Sequence, residues 1–273
     1  MKRFLTLAAI AAAAFAAQAT TLTHGDFAFT GVNGNTTVGG WSFVTFTDIA
    51  AGTTIYFTDT NVLTTPTSSG VFSTTAETFW SWTANAKVAA GTSVALLGTG
   101  TTGQYTAKSG AAGGTPSGTV TNLNGGASNI SSGGDILYAF QAASYATNYQ
   151  PSAITFLGAI SNRGTYTSAD NPTAATGLSG IQLREYKFGT TATRYTQFTA
   201  QTTGTDAPYA SMALLKSALA DGDNWTTITA SNTTPIVADV LAVAAPVPEP
   251  ESHALMLLGL GVVACVARRR MRR

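Results

Sequence analysis

Few side chains in this sequence have the chemistry of nucleophiles, bases or metal ligands. The two histidines are His24, close to the N-terminus, and His253, close to the C-terminus. The single cysteine, Cys265, lies in an apolar run, where the expected role is that of a small hydrophobic residue. A Ser-His-Asp triad, a cysteine nucleophile or a two-histidine metal site therefore lacks the residues it needs in the central part of the chain. His24 is predicted to be exposed.

Carboxylates are the remaining acid and base groups. A pair of them in a cleft is the machinery of a glycosidase, and the candidates are Asp59, Glu77, Asp135 and Asp170. Their spacing does not pair any two of them. A secreted hydrolase that depends on carboxylates stays an alternative function.

The segment Asp221-Gly222-Asp223-Asn224 offers oxygen ligands for a calcium ion. It lacks the closing glutamate of an EF-hand loop, so Asp221, Asp223 and Asn224 form a weak candidate metal site. The other interpretation is a polar turn at the end of a helix. No cofactor is predicted.

Three tryptophans are candidates for a ligand platform. In Thr78-Phe79-Trp80-Ser81-Trp82-Thr83 the alternation places Trp80 and Trp82 on one face of a strand, and Trp41 lies in another predicted strand. Two interpretations follow: the rings fill a core, or they form an exposed surface for sugar rings, in which case an exposed apolar patch is expected. A carbohydrate-binding module is therefore the second alternative.

The amino-acid composition predicts the secondary structure that positions these residues. The 47 threonines outnumber the 27 charged residues, and the 28 glycines add to a preference for β-branched strands joined by glycine-rich turns. Residues 20–245 carry eleven acidic and seven basic side chains, a net charge near −4, so nucleic acid is not an expected partner. They contain no cysteine, so stability must come from core burial without disulfides.

Both ends of the chain are typical of an exported protein. Residues 1–19 combine Lys2 and Arg3, an apolar run and the small-x-small site Ala17-Gln18-Ala19, which predicts a signal peptide and a mature start at Thr20. Residues 252–267 form sixteen positions without formal charge, at or just under the roughly 17 that span a bilayer, and with some local thinning they are predicted to form a single transmembrane helix. A basic cluster follows and is predicted to stay cytoplasmic as a stop-transfer signal. Its members are Arg268, Arg269, Arg270, Arg272 and Arg273.

The C-terminal residues resemble a known sorting signal. Pro248, Glu249 and Pro250, the short apolar helix and the arginine cluster together resemble the PEP-CTERM signal. The resemblance implies a Gram-negative bacterium and processing by an exosortase near the Pro-Glu-Pro. The prolines also favour an extended segment that a processing enzyme can bind. An uncleaved membrane anchor is the alternative.

The body is predicted to be all-β. Alternating runs predict strands near residues 25–31, 41–47, 55–59, 78–83, 134–141, 154–160, 181–186, 194–198 and 225–230. The one helix is predicted near residues 208–220, and the segment 98–134 is predicted to be a long loop with at most one weak edge strand. Two similar runs, 48–58 and 88–97, share an apolar-Ala-Ala-Gly-Thr unit and predict two similar corners.

A second resemblance covers most of the body. Five motifs carry this resemblance: residues 25–29, 48–59, 80–82, 134–137 and 223–225. Together they resemble a recurrent domain of secreted bacterial surface proteins that is remotely similar to the lamin-tail group. The resemblance implies a β-sandwich, and it assigns no catalytic residues to this chain.

The sequence therefore predicts a signal peptide (1–19), a β-sandwich domain with Gly- and Thr-rich loops (20–232), a linker (233–247) and a PEP-CTERM signal (248–273). The primary functional hypothesis is a non-catalytic exported protein of the cell surface or extracellular matrix. The expected partners are exosortase, signal peptidase and the secretion machinery, with extracellular polysaccharide as a further candidate.

Overall fold

A computed structural model describes most of the body. The described residues are 18–35, 39–67, 70–73, 77–109, 114–125, 130, 136–143, 153–161, 176–185, 195–199 and 209–228. The strands are β1 (Phe27–Asn33), β2 (Gly40–Thr45), β3 (Thr54–Thr58), β4 (Val62–Thr67), β5 (Gly70–Phe72), β6 (Phe79–Ala84), β7 (Ser93–Gly98), β8 (Tyr105–Ser109), β9 (Thr115–Asn122), β10 (Ile136–Gln141), β11 (Thr155–Ser161), β12 (Leu183–Glu185), β13 (Tyr195–Phe198) and β14 (Trp225–Ile228). Helix α1 is Met212–Ala220, and short 3₁₀ turns lie at Gly180–Gln182 and Gly222–Asn224.

Twelve strands form one sheet, in the order β12-β11-β10-β3-β6-β9-β8-β7-β2-β1-β13-β14. All described pairings are antiparallel except that of β11 with β12. Strands β4 and β5 form a separate hairpin. The prediction of a mainly β body is confirmed, and the described residues contain the predicted short helix.

The sheet curls so that its two halves pack face to face. Trp41 on β2 lies 5.2 Å, between ring centroids, from both Phe57 on β3 and Trp80 on β6. Strands β11 and β1 also pack closely, and this requires glycine at position 158 of β11. A Cβ atom there would lie 2.9 Å from Cδ1 of Phe27 on β1. The predicted sandwich therefore takes the form of two layers within one continuous sheet.

A second hydrophobic cluster lies on the opposite face of β10. Along this strand Leu137 and Ala139 belong to the main core, whereas Ile136, Tyr138 and Phe140 belong to the second cluster. Val62 of β4 and Phe72 of β5 also belong to the second cluster. Strand β10 is therefore buried on both faces, which explains its nearly continuous apolar sequence.

The prediction of a long loop over residues 98–134 is wrong, because β8 and β9 lie in this segment. They occupy the middle of the sheet, where a strand on each side supplies backbone hydrogen bonds. A Cβ atom at Gly118 of β9 would overlap the Trp82 indole nitrogen and lie 2.5 Å from the Thr83 carbonyl oxygen. Tertiary packing therefore requires glycine at a position that weakens the local strand signal.

The two similar sequence runs form two equivalent corners, as predicted. Ile49 and Val88 pair through two backbone hydrogen bonds of 2.8 and 2.9 Å. Gly52 and Gly91 occupy equivalent positions with φ of 84° and 81°, a conformation that favours glycine. Each glycine N–H donates to the end of a neighbouring strand.

Helix α1 begins later than predicted. Ser211 is its N-cap, and the Ser211 hydroxyl accepts a hydrogen bond from the Leu214 N–H at 3.3 Å. Leu215 and Leu219 are fully buried and Met212 is partly buried, so these residues form the face of the helix that packs on the core.

Both predicted ends lie largely outside the described residues. The predicted signal peptide is described at positions 18 and 19 alone, and positions 229–273 are not described. In the described part of the chain, no helix has the length and apolar character needed to cross a membrane.

Candidate functional site

A cleft of about 400 Å³ lies beside the predicted mature N-terminus. Its walls come from the N-terminal segment, one corner, β3 and the facing ends of β10 and β11. The lining residues are Ala19, Thr20, Thr21, Gly52, Thr54, Tyr56, Gln141, Ala142, Ala143, Ala153 and Thr155. This volume falls in the ordinary range for small-molecule sites.

Gln141, the last residue of β10, clamps the N-terminal segment. Its Oε1 accepts a hydrogen bond from the Leu22 N–H at 2.7 Å. Its Nε2 donates to the carbonyl oxygens of Thr20 and Thr54, both at 3.1 Å. One amide side chain therefore joins the N-terminal segment to β3 and β10.

Thr20 makes further contacts with the corner that precedes β3. The Thr20 N–H donates to Thr53 Oγ1 at 2.8 Å. The Thr20 hydroxyl accepts from the Ala50 N–H at 2.9 Å and donates to the Asp48 carbonyl oxygen at 3.2 Å. These bonds fix the backbone of Thr20 in the wall of the cleft.

The cleft wall is uncharged and locally strained. None of the lining side chains is ionised at neutral pH. The nearest described ion pair belongs to the corner, where Lys87 Nζ lies 2.6 Å from Asp48 Oδ2. Ala153, at the rim, has φ of 50°, which is costly for a residue other than glycine. Such strain is found more often at functional positions than elsewhere.

The aromatic part of the wall is Tyr56. Its ring stacks on Phe140, with centroids 5.5 Å apart and an interplanar angle of 22°. Tyr56 is half-buried and lies next to Thr54 along the cleft-facing side of β3. Hydroxyl groups and one aromatic side chain are therefore the chemical groups that the wall presents.

Trp41, Trp80 and Trp82 do not form an exposed platform. All three are 0% exposed and belong to the main core, so the prediction of core packing is correct and the platform interpretation is wrong. Trp80 Nε1 donates to the Gly103 carbonyl oxygen at 3.0 Å. Among the described residues, the indole N–H groups of Trp41 and Trp82 have no hydrogen-bond partner.

Residues 246–273 match the PEP-CTERM protein-sorting motif. The chain carries this sorting signal. The match includes the predicted sorting residues Pro248, Glu249 and Pro250 and the terminal arginines. The motif implies that the protein is exported and is a substrate of exosortase.

The comparisons say nothing further about the body. No curated protein and no solved structure matches the chain. The resemblance of the body to the lamin-tail group therefore stays a prediction.

Of the four candidate carboxylates, Asp135 and Asp170 lie outside the described residues. Asp59 is 2% exposed, and its Oδ1 accepts a hydrogen bond from the Thr78 N–H at 3.0 Å. Burial, and then the negative charge of Asp59, raise the pKa of Tyr105 above its usual range. Asp59 therefore ties the end of β3 to the start of β6 inside the protein and does not line the cleft.

The candidate metal ligands end helix α1. Asp221 Oδ1 accepts from the Asp223 N–H at 3.0 Å, and Asn224 Nδ2 donates to the Ala218 carbonyl oxygen at 3.0 Å. The described residues contain no cluster of three or more His, Cys, Asp or Glu side chains suited to a metal ion. These contacts are those of a helix end and a polar turn. His24, the other residue singled out for chemistry, is exposed.

Apart from the predicted cleavage site, no sequence pattern predicted the residues of the cleft. Gln141 lies 119 residues after Leu22. Because its partners are backbone atoms, the side chains at those positions give no sign of these hydrogen bonds. The small-x-small signal at residues 17–19 is the one sequence feature that pointed to this region.

Proposed function

We propose that this protein is a non-catalytic component of the cell surface or extracellular matrix, sorted by exosortase after export. The PEP-CTERM motif at residues 246–273 is the observation that carries the proposal. Signal peptidase and the secretion machinery act earlier, at residues 1–19. The body reaches its destination after processing near Pro248-Glu249-Pro250.

The body supports a structural role. Its aromatic side chains pack in two extended clusters, and described polar groups such as Asp59 and Gln141 hold one strand or segment to another. A protein that must persist outside the cell without disulfides needs this kind of internal cross-linking. The hydrolase alternative has no support from Asp59, because a cleft carboxylate has to reach its substrate.

Substitution of the sorting motif tests the proposal. Changing Pro248, Glu249 and Pro250 to alanine favours helix over the extended segment, because alanine has a high helix propensity and the prolines have been removed. We expect an uncleaved protein of higher mass to accumulate in the inner membrane. Replacing Thr233, Thr234 and Pro235 by alanine is the matched control, since it changes a proline-containing triplet outside the motif.

The basic cluster is tested separately by changing the five terminal arginines to serine. Loss of these charges removes the signal that retains the C-terminus in the cytoplasm, so the variant should be mislocalised. The measurements are the intact mass and the membrane and extracellular fractions in a strain that makes exosortase. Wild-type mass and distribution in both motif variants would show that the segment is a plain anchor and that the proposal is wrong.

A further inference from the structure

The predicted signal-peptide cleavage site lies in the wall of the cleft. Ala19 and Thr20, the residues on either side of the bond to be cut, both line it. Cleavage removes Ala19 and converts the Thr20 amide nitrogen into an α-ammonium group. Maturation therefore changes the chemistry of the cleft.

The new terminus is held in place after cleavage. Thr20 keeps the bonds of its hydroxyl to Ala50 and Asp48 and the bond of its carbonyl oxygen to Gln141. An α-ammonium group has three N–H donors, and Thr53 Oγ1, at 2.8 Å, accepts one of them. Two charged donors remain for a ligand at a fixed position.

The α-ammonium introduces a positive charge into an uncharged wall. Its ordinary pKa is about 7.7–8.0, so it is mostly protonated at neutral pH. Of the elements around it, β3 contributes Tyr56, β10 contributes Gln141 and β11 contributes Thr155, and none of these is an acidic or basic residue. In the corner, the Asp48 carboxylate accepts hydrogen bonds from Lys87 Nζ and the Ala90 N–H. The terminus is therefore suited to pair with a ligand anion.

We propose that removal of the signal peptide creates a binding site for an acidic sugar unit of an extracellular polysaccharide. The ligand carboxylate pairs with the Thr20 α-ammonium. Its hydroxyls face the threonine side chains of the wall, and its less polar ring face packs against Tyr56. The inference rests on the proposed function, because export and cleavage generate the site.

Charge and hydroxyl content together select this class of ligand. A neutral sugar would leave the two free ammonium donors without an anionic partner. A simple carboxylate such as acetate would leave the hydroxyl-lined wall and Tyr56 unused. A uronic acid unit satisfies both parts, and the cleft, which measures about 400 Å³ with Ala19 still in its wall, is of suitable size for such a unit.

Two purified chains that differ only by the presence of Gln18 and Ala19 test the proposal. One starts at Thr20 and the other at Gln18, and both extend to Arg273. Trigalacturonic acid is titrated into each by calorimetry at pH 6.5 and low salt. We expect binding to be at least about tenfold tighter for the chain that starts at Thr20, because a hydrogen-bonded charge pair is lost in the longer chain. Equal affinity of the two chains would overturn the proposal.

Further measurements separate the contribution of the α-ammonium charge to binding from that of the hydroxyl groups in the cleft wall. Raising the pH to 9.5 deprotonates the α-amino group, so binding to the Thr20 chain should weaken about tenfold or more. The variant Thr155→Val keeps the shape of the wall but removes a hydroxyl, and should bind severalfold more weakly with unchanged thermal stability. Unchanged binding at pH 9.5 or in this variant, or equally tight binding of galactotriose or acetate, would refute the proposal.

The proposed function can fail independently of this site. If the protein exported by cells begins at Met1, the proposed export and cleavage are wrong, whatever the two purified chains do. If it begins at Thr20 but the purified chains bind equally, the sugar site alone is wrong.

Discussion

Gln141 gives the sharpest test of how the N-terminal segment is attached to the body. The change Gln141→Leu keeps a side chain of similar size but removes three hydrogen bonds. These join it to the Leu22 N–H at 2.7 Å and to the Thr20 and Thr54 carbonyl oxygens at 3.1 Å. In the variant, these three backbone groups either bond to water or have no hydrogen-bond partner.

The expected loss of stability follows from the number of bonds. Each contributes about 0.5–1.5 kcal/mol to the free energy of unfolding, so the variant should lose about 3 kcal/mol. For a domain of this size 1 kcal/mol shifts the melting temperature by about 2–4 °C, so the midpoint should fall by about 6–12 °C. The N-terminal residues should also become accessible to an aminopeptidase.

The assay is urea and thermal unfolding of the chain that starts at Thr20, followed by tryptophan fluorescence because the buried indoles report on the core. Gln104→Leu is the matched control, since Gln104 is exposed and the same change there leaves the clamp intact. We expect the control to lie within about 0.5 kcal/mol of the wild type. If Gln141→Leu is as stable as Gln104→Leu, the clamp contributes nothing and the reasoning is refuted.

Three further substitutions and one control variant test the fold. Gly118→Ala should cost about 1–3 kcal/mol in urea unfolding, because its Cβ atom would overlap the Trp82 indole nitrogen. Gly52→Ala should cost about 1–2 kcal/mol through its positive φ alone, since the space around it is open. Gly222→Ala, with open space and no positive φ, is the control for both, and equal stability of all three variants would contradict these assignments. Asp48→Asn should lower the melting temperature at pH 7 but have a progressively smaller effect below about pH 4. Hydrogen bonds from the neighbouring lysine and a backbone N–H hold the pKa of Asp48 below its usual value, so its contribution is lost as the pH falls. A destabilisation that does not depend on pH would show that this charge has no role.

The strands with strong local signals were predictable from the sequence. In β6 the alternation correctly separated Phe79 from Trp80 and Trp82, because one side of that strand faces the main core and the other faces the second cluster. The two corners were predictable for a similar reason: Gly52 and Gly91 each follow an Ala-Ala pair at a tight turn. Local patterns determine local structure at these positions.

The central strands β8 and β9 and the cleft were not predictable from the sequence. Gly118 is poorly suited to a strand by itself, and its neighbour Trp82 determines the requirement for glycine from a different strand. The bonds of Gln141 reach residues 119 and 121 positions away, and a single sequence contains no pattern that connects them. Packing and long-range hydrogen bonding therefore supply the information that local sequence lacks.

The order of strands in the sheet also bears on how an exported chain of this kind folds. Strand β1 lies near residue 30 but pairs with β13, which lies much later in the chain, so that Gly31 is opposite Gln197. The N-terminal segment likewise needs Gln141 before its clamp is complete. Sheets built on such distant pairings fold slowly, because the entropy of closing long loops is lost before the contacts form. Most of the body must therefore cross the membrane before its first strand acquires both neighbours. The sorting motif at residues 246–273 follows every described strand in the chain, so these strands reach the membrane before the motif does.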